Sequence, residues 1–121
     1  SDDVHRALRS FAACDPSGRL VVGVANVGAS SLSVAVELAS RTPMGDREAR
    51  EEWVLQAGGA AGDLLTRDVL LNGARLASVG GVVPPLPPLE ARARDAFTAP
   101  ARSVSFLRYP TLVPHACRGS E

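Results

Sequence analysis

This chain of 121 residues has few aromatics, with one Trp, one Tyr and three Phe, and only two Cys and two His. It also lacks a charge bias, because thirteen Lys plus Arg balance thirteen Asp plus Glu. No stretch carries five like charges, so the basic footprint of a nucleic-acid binder is missing. His5 and His115 stand far apart with no second ligand at short spacing, which reads as surface or capping histidines rather than a metal site. No Asn-x-Ser/Thr sequon occurs. The longest uncharged run, Leu20 to Val36, is broken by Gly28 and by Asn26, Ser30, Ser31 and Ser33. Its apolar residues alternate instead of running on, which excludes a spanning helix and leaves no membrane span. Ser1 follows no initiating Met, basic n-region or apolar h-region, so the expectation is a processed product or a domain cut from a longer chain.

What is present fits one domain over residues 1–121, since 45% of the residues are apolar and 21% charged. Nine Pro and eleven Gly call for many turns and short strands. Leu8, Ser10, Ala12 and Cys14 share one face of a strand that stops at Asp15-Pro16-Ser17-Gly18, a cluster of turn formers. Leu20, Val22 and Val24 mark a strand within Arg19 to Val27. Leu32, Val34, Val36 and Leu38 mark another, and the Gly28–Ser31 turn predicts that the two form a hairpin. Thr42 to Arg50 reads as a loop, Glu52 to Gln56 as a short strand, and Ala57 to Gly62 as a Gly-rich loop. That last loop lacks the helix opening and Lys-Ser/Thr of a phosphate cradle.

Leu64 to Leu71 and Arg75 to Val79 flank Asn72-Gly73, the pair that a type I′ hairpin turn demands. Pro84-Pro85-Leu86-Pro87-Pro88 removes four backbone donors and reads as an extended crossover. Glu90 to Phe97 fits either a helical turn or irregular chain. Arg102 to Tyr109 sets Ser103, Ser105 and Leu107 against Val104 and Phe106. Seven to eight short strands at this spacing predict an all-β, antiparallel two-sheet β-sandwich.

Chemistry is sparse. The carboxylates sit mostly in turns or in charged stretches such as Asp46 to Glu52 and read as solvating groups. Ser30, Ser31 and Ser33 lack the strand-turn-helix elbow of a nucleophile. The residues name no catalytic position, no cofactor and no metal ligand. Cys14 and Cys117, near the two ends, are either buried thiols or one disulfide. A bond between them would close a loop worth about 4–5 kcal/mol in the chain-entropy account and would place the protein outside the reducing cytosol.

The order of features resembles the C-terminal β-sandwich domain of glycoside hydrolase family 79, which includes heparanase and the plant heparanase-like β-glucuronidases. The similar segments are Leu8-Arg9-Ser10-Phe11-Ala12-Ala13-Cys14 with the strand into Asn26, Trp53-Val54-Leu55 before a Gly-rich loop, Asp68-Val69-Leu70-Leu71-Asn72-Gly73, and Leu112-Val113-Pro114-His115-Ala116-Cys117 with Arg118. Together they span nearly the whole chain. The spacing from Pro100 to Ser103 and the Pro-rich run Gly80 to Pro85 depart from the pattern.

The resemblance implies a Cys14–Cys117 disulfide and a secreted or lysosome- or vacuole-like location. It also implies that the catalytic glutamates of a retaining β-glucuronidase lie on a (β/α)8 barrel preceding the sandwich. The partner is then the catalytic barrel of the same parent, which binds the glucuronic-acid-containing glycan, and the sandwich is non-catalytic. Its docking surface is expected on the Pro84–Leu89 segment and on Val104 and Phe106 or their alternates. The competing expectation is a free-standing carbohydrate-binding or adhesion-type module, against which the few aromatics, mostly at strand positions, count.

Overall fold

The structure, a computed structural model, describes residues 7–36, 48–57, 69–76, 80–81 and 86–117. These form nine strands: β1 (Leu8–Cys14), β2 (Leu20–Asn26), β3 (Leu32–Val34), β4 (Ala49–Ala57), β5 (Val69–Leu71), β6 (Ala74–Leu76), β7 (Leu89–Arg92), β8 (Phe97–Ala99) and β9 (Ser103–Tyr109), followed by a 3-10 turn at His115–Cys117. Seven strands make one antiparallel sheet in the order β1-β2-β9-β4-β5-β6, with β7 also on β4, and β3 pairs β8 in a second sheet. The all-β, two-sheet sandwich is the architecture that the alternation predicts.

The inner face of the large sheet follows from its register. Leu20, Val22 and Val24 of β2 lie opposite Tyr109, Leu107 and Ser105 of β9, and Ser105 lies opposite Val54 of β4. Against this face pack Phe97 and Ala99 of β8, with Ala93 from the turn before it and Val34 of β3. Residues at every second position are buried in β9, and Val104 between them is exposed, as the pleat requires.

The turn between β1 and β2 forms as its residues dictate. The Asp15 carboxylate accepts from the Ser17 and Arg19 backbone N–H groups and from the Ser17 hydroxyl, and Gly18 takes a φ of 82°. The Asn72-Gly73 turn has φ of 50° and 83° and joins Leu71 to Ala74, the conformation that a type I′ hairpin needs.

Several expectations are corrected. The hairpin across Gly28–Ser31 does not form, because β1 and β9 occupy the two edges of β2 and β3 crosses to the second sheet. The buried Asn26 amide explains the crossing. It donates to the Ser30 and Ala99 carbonyls, while its oxygen accepts from the Gly28 N–H, so the chain leaves β2 tied to the opposite sheet. β3 stops at Val34, so Val36 lies beyond the strand, and Leu38 is outside the described residues.

The strand expected at Glu52 begins at Ala49, and Arg50, assigned to a loop, is 2% exposed. Its guanidinium is neutralised by Glu52 at 2.7 Å, bonds the Asp95 carbonyl and lies over the Phe97 ring. Glu90 to Phe97 is neither helical nor irregular throughout: β7 ends at Arg92, a tight turn follows, and β8 begins at Phe97. Thr42 to Arg47, the Gly-rich loop after Ala57, all of Leu64 to Asp68, Ala77 to Val79, Pro84 and Pro85, and His5 lie outside the described residues.

Candidate functional site

The second face of the large sheet points away from β3 and β8, and register defines what it presents. Directly opposed residues share a face. One cross-strand row therefore runs Arg9, Ala25, Val104, Leu55, Leu71 and Ala74, and the next runs Phe11, Gly23, Phe106 and Trp53. The third runs Ala13, Val21, Arg108, Glu51 and Glu90. This outer face thus carries an apolar field two rows wide beside a charged row. Phe11 is 56% exposed, Val104 43% and Val69 38%. Of the two alternating sets in β9 left open by the sequence, Val104 and Phe106 face out and Ser103, Ser105 and Leu107 face the core.

Gly23 determines how the aromatic row is built. A Cβ there would clash with the Phe11 ring, so the ring packs over a residue without a side chain. Three of the aromatics, Phe11, Phe106 and Trp53, share this row. The Trp53 indole N–H donates to the Leu86 carbonyl at 2.7 Å, which brings the Pro-rich segment alongside the face. Leu86 is exposed there, whereas the exposed Leu89, opposite Glu52, is on the other side of the sheet.

Asn72 closes a gap in the sheet. β7 pairs β4 as far as Glu52 and β5 pairs it from Leu55 onward, so Trp53 and Val54 have no strand partner on that edge. The Asn72 side chain substitutes for one. Its oxygen accepts from the Val54 N–H at 2.8 Å, and its amide donates to the Glu52 and Pro87 carbonyls. The Asn72 N–H completes the set by donating to the Val54 carbonyl. The turn chemistry of Asn-Gly was legible in the sequence, whereas this brace depends on two strands meeting end to end on β4.

The charged row is an ion-pair node rather than a set of solvating carboxylates. Arg108 donates to Asp15 at 2.7 Å and to Glu51 at 2.6 Å. The Arg108 guanidinium, with the Ser17 hydroxyl and the Arg19 N–H, holds the Asp15 carboxyl well below the usual carboxylate range, and the two carboxylates raise Arg108 in return. On the inner face, burial pushes the Tyr109 phenol up against the opposing pull of Arg50. The Tyr109 hydroxyl is buried without a hydrogen bond of good geometry.

Cys14 and Cys117 are joined by a disulfide with their Cα atoms 5.5 Å apart. The bridge ties the end of β1 to the C-terminal segment. Leu112 of that segment accepts from the Leu20 N–H and packs on the core, and the Arg19 side chain donates to the Pro110 carbonyl. Among the described residues no three His, Cys, Asp or Glu side chains gather as metal ligands, and no helix is long and apolar enough to cross a membrane. No family model matches the chain, and no curated protein is significantly similar to it.

Proposed function

We propose that this chain is the non-catalytic C-terminal β-sandwich of a heparanase-like β-glucuronidase of glycoside hydrolase family 79, stabilising the catalytic barrel of its parent. One observation carries the reading: a sheet face holding Val104, Phe106, Leu55 and Trp53 points away from the domain's own core. Such a face serves a domain that is finished by a neighbour. The resemblance of the motif order from Leu8 to Cys117 to family 79 supports that family's barrel as the neighbour, and the terminal disulfide is compatible with a secreted or lysosome- or vacuole-like compartment.

Two measurements test this. The chain alone is expected to release nothing from a chromogenic glucuronide at acidic or neutral pH; turnover abolished by changing one of its own carboxylates overturns the proposal. A family-79 barrel supplied in trans is expected to bind the chain, with Val104→Lys weakening binding at least tenfold. Equal binding by the variant removes the outer face from the interface.

The aromatic row favours a second reading, a carbohydrate-binding module. Strand positions, which counted against this reading in the sequence, place Phe11, Phe106 and Trp53 side by side on the face away from the core. Adjacent strands are about 4.8 Å apart, a spacing comparable to one sugar ring per strand. Titrating soluble oligosaccharides while following Trp53 fluorescence tests it, and a flat response across neutral and uronic-acid chains excludes it.

A further inference from the structure

β1 is the terminal strand of the seven-stranded sheet, and no described strand pairs with its outer edge. Which of its main-chain groups face that edge can be read from the ends of the β1–β2 ladder. The Ala7 carbonyl accepts from the Val27 N–H, and the Asp15 N–H donates to the Arg19 carbonyl. Both bonds lie on the β2 side. Main-chain direction alternates along a strand, so Ala7, Arg9, Phe11, Ala13 and Asp15 bond towards β2, and Leu8, Ser10, Ala12 and Cys14 turn their N–H and C=O groups outward. Of the outward carbonyls, that of Leu8 accepts from the Arg9 guanidinium.

Among the described residues this edge has neither a bulge nor a Pro to blunt it. The ladder to β2 runs through seven consecutive pairs without a bulge, β1 contains no Pro, and its single charge, Arg9, belongs to the outer face rather than pointing inward. A regular seven-residue edge of this kind is a template for another extended strand.

We infer that the β1 edge pairs with β1 of a second copy of this chain, antiparallel, about a two-fold axis passing at Phe11. The self-pairing satisfies the edge in register. Ser10 comes opposite Ala12 of the second copy, and Leu8 opposite its Cys14. All four carry outward main-chain groups, so these are the hydrogen-bonded pairs of the new ladder. Arg9 comes opposite Ala13, and the only charge on the strand never meets its equivalent, which avoids the like-charge pair that would oppose pairing. Phe11 meets its own counterpart in the closer, non-hydrogen-bonded position on the outer face. The contact is isologous and closed, since each copy presents one such edge to the other. It uses the sheet edge, so it stands independently of what covers the outer face.

The test combines sedimentation of the 121-residue protein over a concentration series with amide exchange. A dimer is expected to form as concentration rises, and exchange at the Ser10 and Ala12 amides to slow with it. The Phe11 and Ala13 amides, already in the β2 ladder, stay protected throughout. Ser10→Pro removes an outward N–H and is expected to weaken dimerisation at least tenfold while leaving the thermal transition cooperative. Should that variant not fold, Phe11→Lys and Phe11→Glu replace it: each alone is expected to associate at least tenfold more weakly, and an equimolar mixture to restore pairing, because the opposite charges meet at the axis.

A protein that stays monomeric to its solubility limit overturns the inference. So does a dimer whose Ser10 and Ala12 amides still exchange freely, or a Lys/Glu mixture that restores nothing.

Discussion

Asn72 is the residue with the most roles for its size. It supplies a left-handed φ for a hairpin turn, and its side chain fills the gap between β7 and β5 on β4 by bonding the Val54 N–H and the Glu52 carbonyl. The two roles separate by substitution. Asn72→Gly retains the backbone conformation, even more readily, and leaves the Val54 N–H and Glu52 carbonyl without their partner. Unsatisfied groups of this kind cost about 1–3 kcal/mol, and chemical denaturation of Asn72→Gly is expected to show a loss in that range with an unchanged denaturant slope. Arg50 makes a comparable point on the inner face. It is buried at 2% exposure with Glu52, a carbonyl and an aromatic ring around it, and Arg50→Ala is expected to lower stability by about 3–5 kcal/mol, because Glu52 is left in a largely buried position without its counter-charge. Thermal and denaturant melts of the variant check this.

At the scale of elements, the β1–β2 hairpin and the C-terminal segment form one clamp. The disulfide closes 103 residues, and Leu20, Arg19 and Arg108 each bond across to the segment or to the turn. Cys117→Ser is expected to cost about 2–5 kcal/mol, read from denaturant melts of oxidised protein against the variant.

The same clamp sets an acid dependence. The folded Asp15 carboxyl is held below its ordinary value of 3.8. Its contribution is therefore complete above that value and is lost as pH falls below it, when the unfolded chain takes up a proton that the folded one refuses. The melting temperature is expected to drop more steeply below about pH 4 in the native protein than in Asp15→Asn, whose curve is lower at neutral pH and converges on the native one in acid. Parallel curves would remove Asp15 from the clamp.

For the whole molecule, the two faces of the large sheet have different assignments. The inner face is covered by the two three-residue strands of the second sheet and the turn before β8, and the outer face leaves Phe11 and Val104 exposed. Exposed apolar area of this extent favours association and dye binding. The isolated chain is expected to bind a hydrophobic dye. Val104→Lys is expected to reduce the dye signal while shifting stability by less than about 0.5 kcal/mol, as for an exposed position outside the core. A chain that binds no dye, or a Val104→Lys variant with an unchanged signal, would count against the outer face as a docking surface.

The sequence by itself determined those features that depend on neighbours along the chain. Alternation in Leu8–Cys14, Leu20–Asn26 and Ser103–Tyr109 sets which residues share a face, because the pleat has a period of two. Asp15-Pro16-Ser17-Gly18 and Asn72-Gly73 set two turns, because their backbone requirements are local. The all-β sandwich follows from these together, and the Cys14–Cys117 pairing came from the family resemblance rather than from spacing. Tertiary structure decided the strand neighbours. Whether β3 returned beside β2 or crossed to the second sheet turned on a buried Asn26 amide bonded to Ala99 of β8, and whether Arg50 lay in a loop or in the core turned on Glu52, Phe97 and the Asp95 carbonyl. Phe11, Phe106 and Trp53 became one row only when β1, β2, β9 and β4 came together. Each of these depends on contacts between residues remote in the chain, whose pairing energies the local pattern does not encode.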